Sequence, residues 1–116
     1  MSRKISIAST RENDTTKHTL YTVPTKNTGL WSMLYVISLT GNAYPTVYWY
    51  DSSTDTEYQI LGAKNLGAGN YVLFSDAEVV LQEGDQIRIQ NTTVYKVTYI
   101  ATVELVPNQA TQFHGA

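Results

Sequence analysis

The stretch VYKVTYIATVELV, from Val94 to Val106, decides the fold class, because an apolar residue occupies every second position from Tyr95 to Leu105. Successive side chains of a β-strand point to opposite faces, so this alternation places one apolar row on a single face. A helix would instead need an apolar period near 3.6 residues, and no segment of the sequence sustains one. The stretch therefore predicts a long β-strand with one buried face.

The same alternation recurs along the chain, in runs that turn-forming residues separate. The longest early run, LWSMLYVISLT from Leu30 to Thr40, predicts one face with Trp31, Met33, Tyr35, Ile37 and Leu39. Glycine, proline, asparagine and aspartate occur between the runs, where such residues favour turns. We therefore expect an all-β, single-domain sandwich of eight or nine antiparallel strands, jelly-roll or immunoglobulin-like.

The length of 116 residues suits one domain with one core. We expect residues 1–17 to form an N-terminal arm with a short strand, residues 18–106 the sandwich, and residues 107–116 a flexible tail. The chain has no cysteine, so packing and hydrogen bonds must hold the fold without disulfides. The N-terminus lacks the apolar core of a signal peptide, and no apolar run approaches the length of a membrane span. These features predict a soluble protein without an export signal.

The charge pattern argues against nucleic acid as a partner. The net charge is −2, and the longest basic run is Arg3-Lys4, so the electrostatic footprint of a nucleic-acid binder is missing. Charged residues make up 16% of the chain, below the usual quarter or so. A surface with so little charge favours contact with other protein.

Neither the acidic hairpin nor the histidines predict a metal site. The segment DSSTDTE, Asp51 to Glu57, offers alternate oxygens as calcium loops do, but Thr56 replaces the glycine that such a loop needs at its sixth position. A metal site at His18 or His114 would need further ligands, which without cysteine would have to be carboxylates from distant loops, so both are interpreted as surface residues. We therefore expect no metal and no cofactor.

The acidic residues do not predict catalysis. Two i, i+2 carboxylate pairs lie beside turns, Asp76 with Glu78 and Glu83 with Asp85. A glycosidase would need two carboxylates placed across a substrate, whereas acidic residues beside turns are ordinary. We expect that the protein is not an enzyme.

The chain is unusually rich in aromatic residues, with nine tyrosines and two tryptophans. In AYPTVYWYD, Ala43 to Asp51, the residues Tyr48, Trp49 and Tyr50 are consecutive. If Trp49 enters the core, Tyr48 and Tyr50 must point outward. Outward tyrosines favour burial against a partner, and Tyr95 and Tyr99 of the last strand are considered for the same role. The predicted interface residues are Ile5, Ile7, Tyr44, Tyr48 and Tyr50.

The segment from Leu20 to Leu105 resembles a group of small all-β virion proteins of tailed bacteriophages. The resemblance lies in the order of LYTVP, LYVISLTGN and LGAGNYVLFSDAEVVLQEGDQIRI. The matching turn positions are Gly67, Gly69, Leu81, Gly84 and Asp85. It implies a sandwich that coats the capsid or decorates the neck or tail, without catalytic residues.

These observations together predict a non-enzymatic structural protein of a tailed-phage virion, of the decoration or cement type. We expect a homo-oligomer, a trimer or larger, that docks on major capsid, neck or tail proteins. It would be assembled in the host cytoplasm, and the strand KISIA of its arm would join a neighbouring subunit's sheet. The alternative is a carbohydrate- or receptor-binding module in which exposed Tyr48 and Tyr50 stack on sugar rings; an enzyme is the third hypothesis.

Overall fold

The computed structural model describes residues 2–108, which form nine β-strands and no helix. The strands are β1 (Arg3–Arg11), β2 (His18–Thr22), β3 (Asn27–Ser38), β4 (Pro45–Asp51), β5 (Thr56–Leu61), β6 (Tyr71–Phe74), β7 (Val79–Leu81), β8 (Gln86–Asn91) and β9 (Val97–Pro107). Within this range no helix is long and apolar enough to cross a membrane. The expected flexible tail lies outside the described residues from position 109 onward.

The strands form two antiparallel sheets that pack face to face, which confirms the predicted β-sandwich. The five-stranded sheet has the order β1-β9-β3-β6, and β7 pairs with β3 beside β6. The four-stranded sheet has the order β2-β8-β4-β5. The first strand thus pairs with the last, the second with β8, the third with β6 and β7, and the fourth with the fifth. This nested order matches that of a jelly roll.

The inner faces of both sheets supply the core, and β9 carries the alternation that its sequence predicts. The buried residues of this strand are Val97, Tyr99, Ala101, Val103 and Leu105. Tyr99 is therefore a core residue rather than an outward one, and burial raises the pKa of its hydroxyl. The prediction of an outward face shared by Tyr95 and Tyr99 is wrong, because the apolar row of β9 faces the opposite sheet.

A β-bulge in β3 divides that strand into two registers. Trp31 lies opposite Val103 and Met33 opposite Thr102, so Ser32 is the extra residue. A bulge of one residue reverses which side chains point inward. Trp31 is therefore buried together with Leu34, Val36 and Ser38, while the outward residues after the bulge are Met33, Tyr35 and Ile37. The prediction that Trp31 shares a face with those three is wrong for this reason.

Strand β1 belongs to the chain's own sheet. It pairs with β9 along all nine of its residues, with Ile5 opposite Val103 and Ile7 opposite Ala101. Both isoleucines are half-buried and pack against the core. The expectation of an arm that adds this strand to a neighbour is thus corrected, because β9 of the same chain already bonds the strand.

Asp85 connects the β7–β8 turn to the β4–β5 hairpin. Its carboxylate is buried and accepts hydrogen bonds from Trp49 Nε1 (3.3 Å), from the amide of Gln82 (2.9 Å), and from the amide and hydroxyl of Ser52 (3.0 Å each). The adjacent Gly84 has φ of 84°, which glycine adopts without strain. A buried carboxylate is tolerated because donors surround it.

We predict that Asp85→Ala lowers the free energy of unfolding by about 2–4 kcal/mol, because several buried donors lose their acceptor. Asp85→Asn keeps the shape but turns an amide toward these donors, so it is expected to destabilise as well. Urea denaturation measures both. The control is Glu78→Ala, since Glu78 is exposed; equal midpoints for the Asp85 and Glu78 variants would contradict the role of Asp85.

Candidate interaction surfaces

The outer face of the four-stranded sheet holds the tyrosines that the sequence singled out. Tyr48 lies opposite Arg88 of β8, and Tyr50 lies opposite Glu57 of β5. Lys17, just before β2, reaches the same surface. We call these five residues the tyrosine face. Trp49 points inward between the two tyrosines and packs against the core, as the alternation predicts.

Cations of the same chain cover both tyrosine rings. Lys17 Nζ lies 4.2 Å from the centroid of the Tyr48 ring, and Arg88 Cζ lies 3.7 Å from that of Tyr50. Glu57 joins the two cations, at 2.6 Å from Lys17 Nζ and 3.1 Å from Arg88 Nη1. Burial alone would raise the pKa of Glu57, but hydrogen bonds from both cations lower it below its usual value. Within one chain, the cover expected from a neighbouring subunit is thus supplied by Lys17 and Arg88.

The β1–β2 loop is held in the position that presents Lys17. The carboxylate of Asp14 accepts the amide (3.0 Å) and hydroxyl (2.6 Å) of Thr16, and it lies 2.6 Å from His18 Nε2. These hydrogen bonds, that of the Thr16 hydroxyl above all, lower the pKa of Asp14 to about 2. Gln90 Nε2 also donates to the carbonyl oxygen of Thr15 (3.1 Å). The loop therefore lies against β8 as part of the sandwich surface.

The acidic hairpin uses its carboxylates for its own turn. Asp51 accepts hydrogen bonds from the amide and hydroxyl of Ser53 and from the hydroxyl of Thr54, and the Ser53 hydroxyl is the first cause of its lowered pKa. Asp55 accepts the hydroxyl of Tyr50 at 2.5 Å. Residues 2–108 contain no group of three or more histidines, cysteines, aspartates or glutamates that could hold a metal ion.

The outer face of the five-stranded sheet is apolar on its β3, β6 and β7 side. Tyr35 lies opposite Ile100 on β9 and opposite Leu73 on β6, and Ile37 lies opposite Tyr71. Tyr71 is 58% exposed and Leu73 51%, and the rings of Tyr35 and Tyr71 are 5.4 Å apart. We call this surface the apolar face; it comprises Met33, Tyr35, Ile37, Tyr71, Leu73, Val80 and Ile100. Exposed apolar surface is where contact sites are commonly found on proteins.

The β1 and β9 side of the same sheet is mainly polar, and its charged residues, among them Lys4 and Glu104, lie toward the ends of the strands. Ser6 Oγ lies 3.1 Å from Thr102 Oγ1, and Thr10 Oγ1 lies 2.7 Å from Thr98 Oγ1. These hydroxyls bond one another in pairs across the two strands. The hydrogen-bonding capacity of this side is thus partly used within the chain.

The structure separates the predicted interface residues instead of bringing them together. Ile5 and Ile7 face the core, Tyr48 and Tyr50 belong to the tyrosine face, and Tyr44 is exposed just before β4. The apolar face was missed because the bulge at Ser32 changes the alternation of β3. One signal was present in the sequence: apart from Ser32, the run from Leu30 to Ile37 is apolar at both odd and even positions, which is typical of a strand covered on both faces.

Comparison with known proteins identifies the fold without identifying a family. No protein-family model matches the chain, and no curated protein is significantly similar in sequence. A chain from the capsid structure of Helicobacter pylori bacteriophage KHP30 has a TM-score of 0.59 at 9% identity, over 93% of this chain and 95% of that one. The structure of Bacillus endospore appendages, described as disulfide-linked pili, gives 0.52 at 13% identity, over 93% and 88%.

A larger viral protein contains a similar unit. The subviral particle of infectious bursal disease virus VP2 gives a TM-score of 0.55 at 8% identity, over 94% of this chain and 33% of that one. The chain thus spans about a third of the length of the infectious bursal disease virus proteins that it matches. At these identities the similarity shows a shared fold.

We predict that Arg88→Met lowers the free energy of unfolding by about 1–2 kcal/mol, because the substitution removes the contacts of the guanidinium with Glu57 and with the Tyr50 ring. Methionine retains an apolar stem of similar length. Urea denaturation measures the change, with Lys64→Met on an exposed loop as the control. Indistinguishable unfolding midpoints for the two variants would show that the cation on Tyr50 contributes nothing.

Proposed function

We propose that this chain is a non-enzymatic structural subunit of a tailed-phage virion, present in three or more copies on the head, neck or tail. The observation that carries the proposal is the apolar face, which a single chain leaves in water. Tyr71, Leu73 and Val80 are each about half exposed there, at 58%, 51% and 47%. An assembly would bury them, and each would contribute about 1 kcal/mol from the area removed from water.

The fold supports an assembly role. The solved structures that share it include chains of a phage capsid, a subviral particle and a spore pilus. In the proposed assembly the subunit docks on major capsid, neck or tail proteins in the virion. A fold without cysteine needs no oxidising compartment, so it suits assembly in the host cytoplasm.

The carbohydrate-binding alternative is less well supported. A sugar ring would have to stack on Tyr48 or Tyr50, and Lys17 and Arg88 already lie over these rings at 4.2 Å and 3.7 Å. Stacking would require displacement of a cation that Glu57 also holds. The tyrosine face is therefore interpreted as a self-contained surface rather than as an open platform.

Mass spectrometry of purified virions tests the proposal. We expect peptides of this chain at a fixed ratio to the major capsid protein, after a density gradient and a protease wash of the particles. Absence of the chain from particles whose other structural proteins are all detected would refute the virion role.

Incorporation of variants tests the surface. We predict that Leu73→Glu lowers the number of copies per particle by about tenfold or more, because a charge in the buried contact costs over 1.4 kcal/mol. Val94→Glu is the matched control, since Val94 is 56% exposed in the β8–β9 loop. Equal incorporation of the two variants would exclude the apolar face as an assembly surface.

A further inference from the structure

The outward residues of β9 form a self-complementary series. From the residue before the strand onward they are Lys96, Thr98, Ile100, Thr102 and Glu104. The series begins with a positive charge and ends with a negative one, and two threonines flank a central isoleucine. The amide of Leu39 donates to the carbonyl oxygen of Lys96 (2.8 Å), so the β3–β9 ladder continues to that position.

The outward residues of β1 repeat the same series. They are Lys4, Ser6, Ala8 and Thr10, and the alternation continues to Glu12 after the strand. Ala8 lies opposite Ile100 and Lys4 lies opposite Glu104. The centres of both series therefore lie on one row that crosses the sheet.

We propose that two copies of this chain stack through the outer faces of their five-stranded sheets, about a two-fold axis that crosses the strands at the Ala8–Ile100 row. The axis lies between the two sheets and runs perpendicular to the strands, so each strand faces the same strand of the other copy in the reverse direction. A residue on one side of the axis therefore meets the residue that lies at the same distance on the other side. Lys96 meets Glu104 of the second copy, and Lys4 meets Glu12. The inference rests on the proposed function in taking the apolar face as an assembly surface, and it names the partner.

The apolar residues obey the same symmetry. The Ala8–Ile100 row continues across the sheet through Tyr35 and Leu73. Because the axis follows this row, each of these residues contacts the same residue of the second copy. On β3, Met33 of one copy meets Ile37 of the other. Tyr71 lies opposite Ile37 on its own sheet, so it faces the level of Met33 on the second copy. At Met33 neither β6 nor β7 pairs with β3, since β6 covers Leu34 to Ile37 and β7 covers Gly29 to Trp31. In the proposed dimer, the exposed Tyr71 of one copy therefore lies over the interval between β6 and β7 of the other copy, where β3 has no edge strand beside it.

The available area suits a stable contact. Four strands spaced about 4.8 Å apart and a strand of β9's length, at about 3.3 Å per residue, give a face of roughly 700 Å². Two such faces bury roughly 1,400 Å², within the range of specific protein interfaces. Ordinary sheet-on-sheet packing provides the geometry.

The charges favour a second copy over another partner. Lys4, Glu12, Lys96 and Glu104 take part in none of the ion pairs within residues 2–108. Two are positive and two are negative, so the face does not select a partner of one charge. The two-fold arrangement pairs each of them with an opposite charge.

A charge swap tests the arrangement. Sedimentation velocity at low salt measures the dimer dissociation constant of the purified chain. Glu104→Lys or Lys96→Glu alone is expected to raise it about tenfold, because each dimer gains two like-charge pairs. The double variant Lys96→Glu with Glu104→Lys is expected to return within about threefold of wild type. Lys64→Glu, on an exposed loop, is the control.

A lysine at position 104 lies beside Lys4 of the same chain and is repelled by it, so rescue in the double variant could come only from the contact between copies. Positions 96 and 104 are eight residues apart on one strand, which is about 26 Å. Single variants that weaken the dimer without rescue in the double variant would overturn the proposed axis. Circular dichroism verifies that each variant is folded.

Cross-linking tests the row at the axis, and the absence of native cysteine makes it specific. Under a short bis-maleimide, Ile100→Cys is expected to form a covalent dimer. Thr98→Cys and Thr102→Cys are each expected to remain monomeric alone and to cross-link when mixed. Gln59→Cys, on the outer face of the other sheet, is the control, and cross-linking there as strong as at position 100 would overturn the inference.

These measurements separate the inference from the proposed function. A wild-type chain that sediments as a monomer at tens of micromolar yet is found in virions overturns only the two-fold contact. A dimer that passes the charge-swap test but is absent from virions overturns only the virion role.

Discussion

The extra residue in β3, Ser32, is the constraint on which the rest of the structure depends. Strand β3 is hydrogen-bonded to β9 on one side and to both β6 and β7 on the other. Its register therefore determines which side chains of β3 point into the core and which point outward beside those of its neighbours. A one-residue change of register exchanges the two faces of a strand. With the bulge, Trp31 and Leu34 both enter the core; without it, one of them would be placed in water. The same bulge directs Met33, Tyr35 and Ile37 outward and so creates the apolar face.

The two outer faces of the sandwich therefore differ in kind. On the four-stranded sheet, Glu57 bonds both Lys17 and Arg88, and these two cations lie over the rings of Tyr48 and Tyr50. On the five-stranded sheet, hydroxyl pairs occupy one side, while Tyr71, Leu73 and Val80 on the other side are each about half exposed. Asp85 fixes the β7–β8 turn against the β4–β5 hairpin. The two faces thus differ in how much of their aromatic and apolar surface one chain already covers.

Local sequence patterns predicted the parts of this structure that depend on neighbouring residues. The alternation of β9, the number of strands and the turns between them follow from residue type and spacing alone. The bulge does not, because Ser32 is compatible with either register and pairing with β9 selects one. The sequence also could not predict that cations lie over Tyr48 and Tyr50. Lys17, Glu57 and Arg88 are far apart in the sequence, and only the pairing of the strands brings them together. The alternation in β1 places Ile5 and Ile7 on one face of the strand. Pairing with β9 of the same chain determines that this face points into the core, and the local sequence does not show that pairing.

The division of one edge between β6 and β7 has a mechanical consequence. A continuous edge strand would have to strain its hydrogen bonds whenever the sheet bends, whereas two short strands can tilt separately about the interval between them. The interval at Met33, where β3 pairs with β9 alone, is therefore the level at which the five-stranded sheet resists bending least.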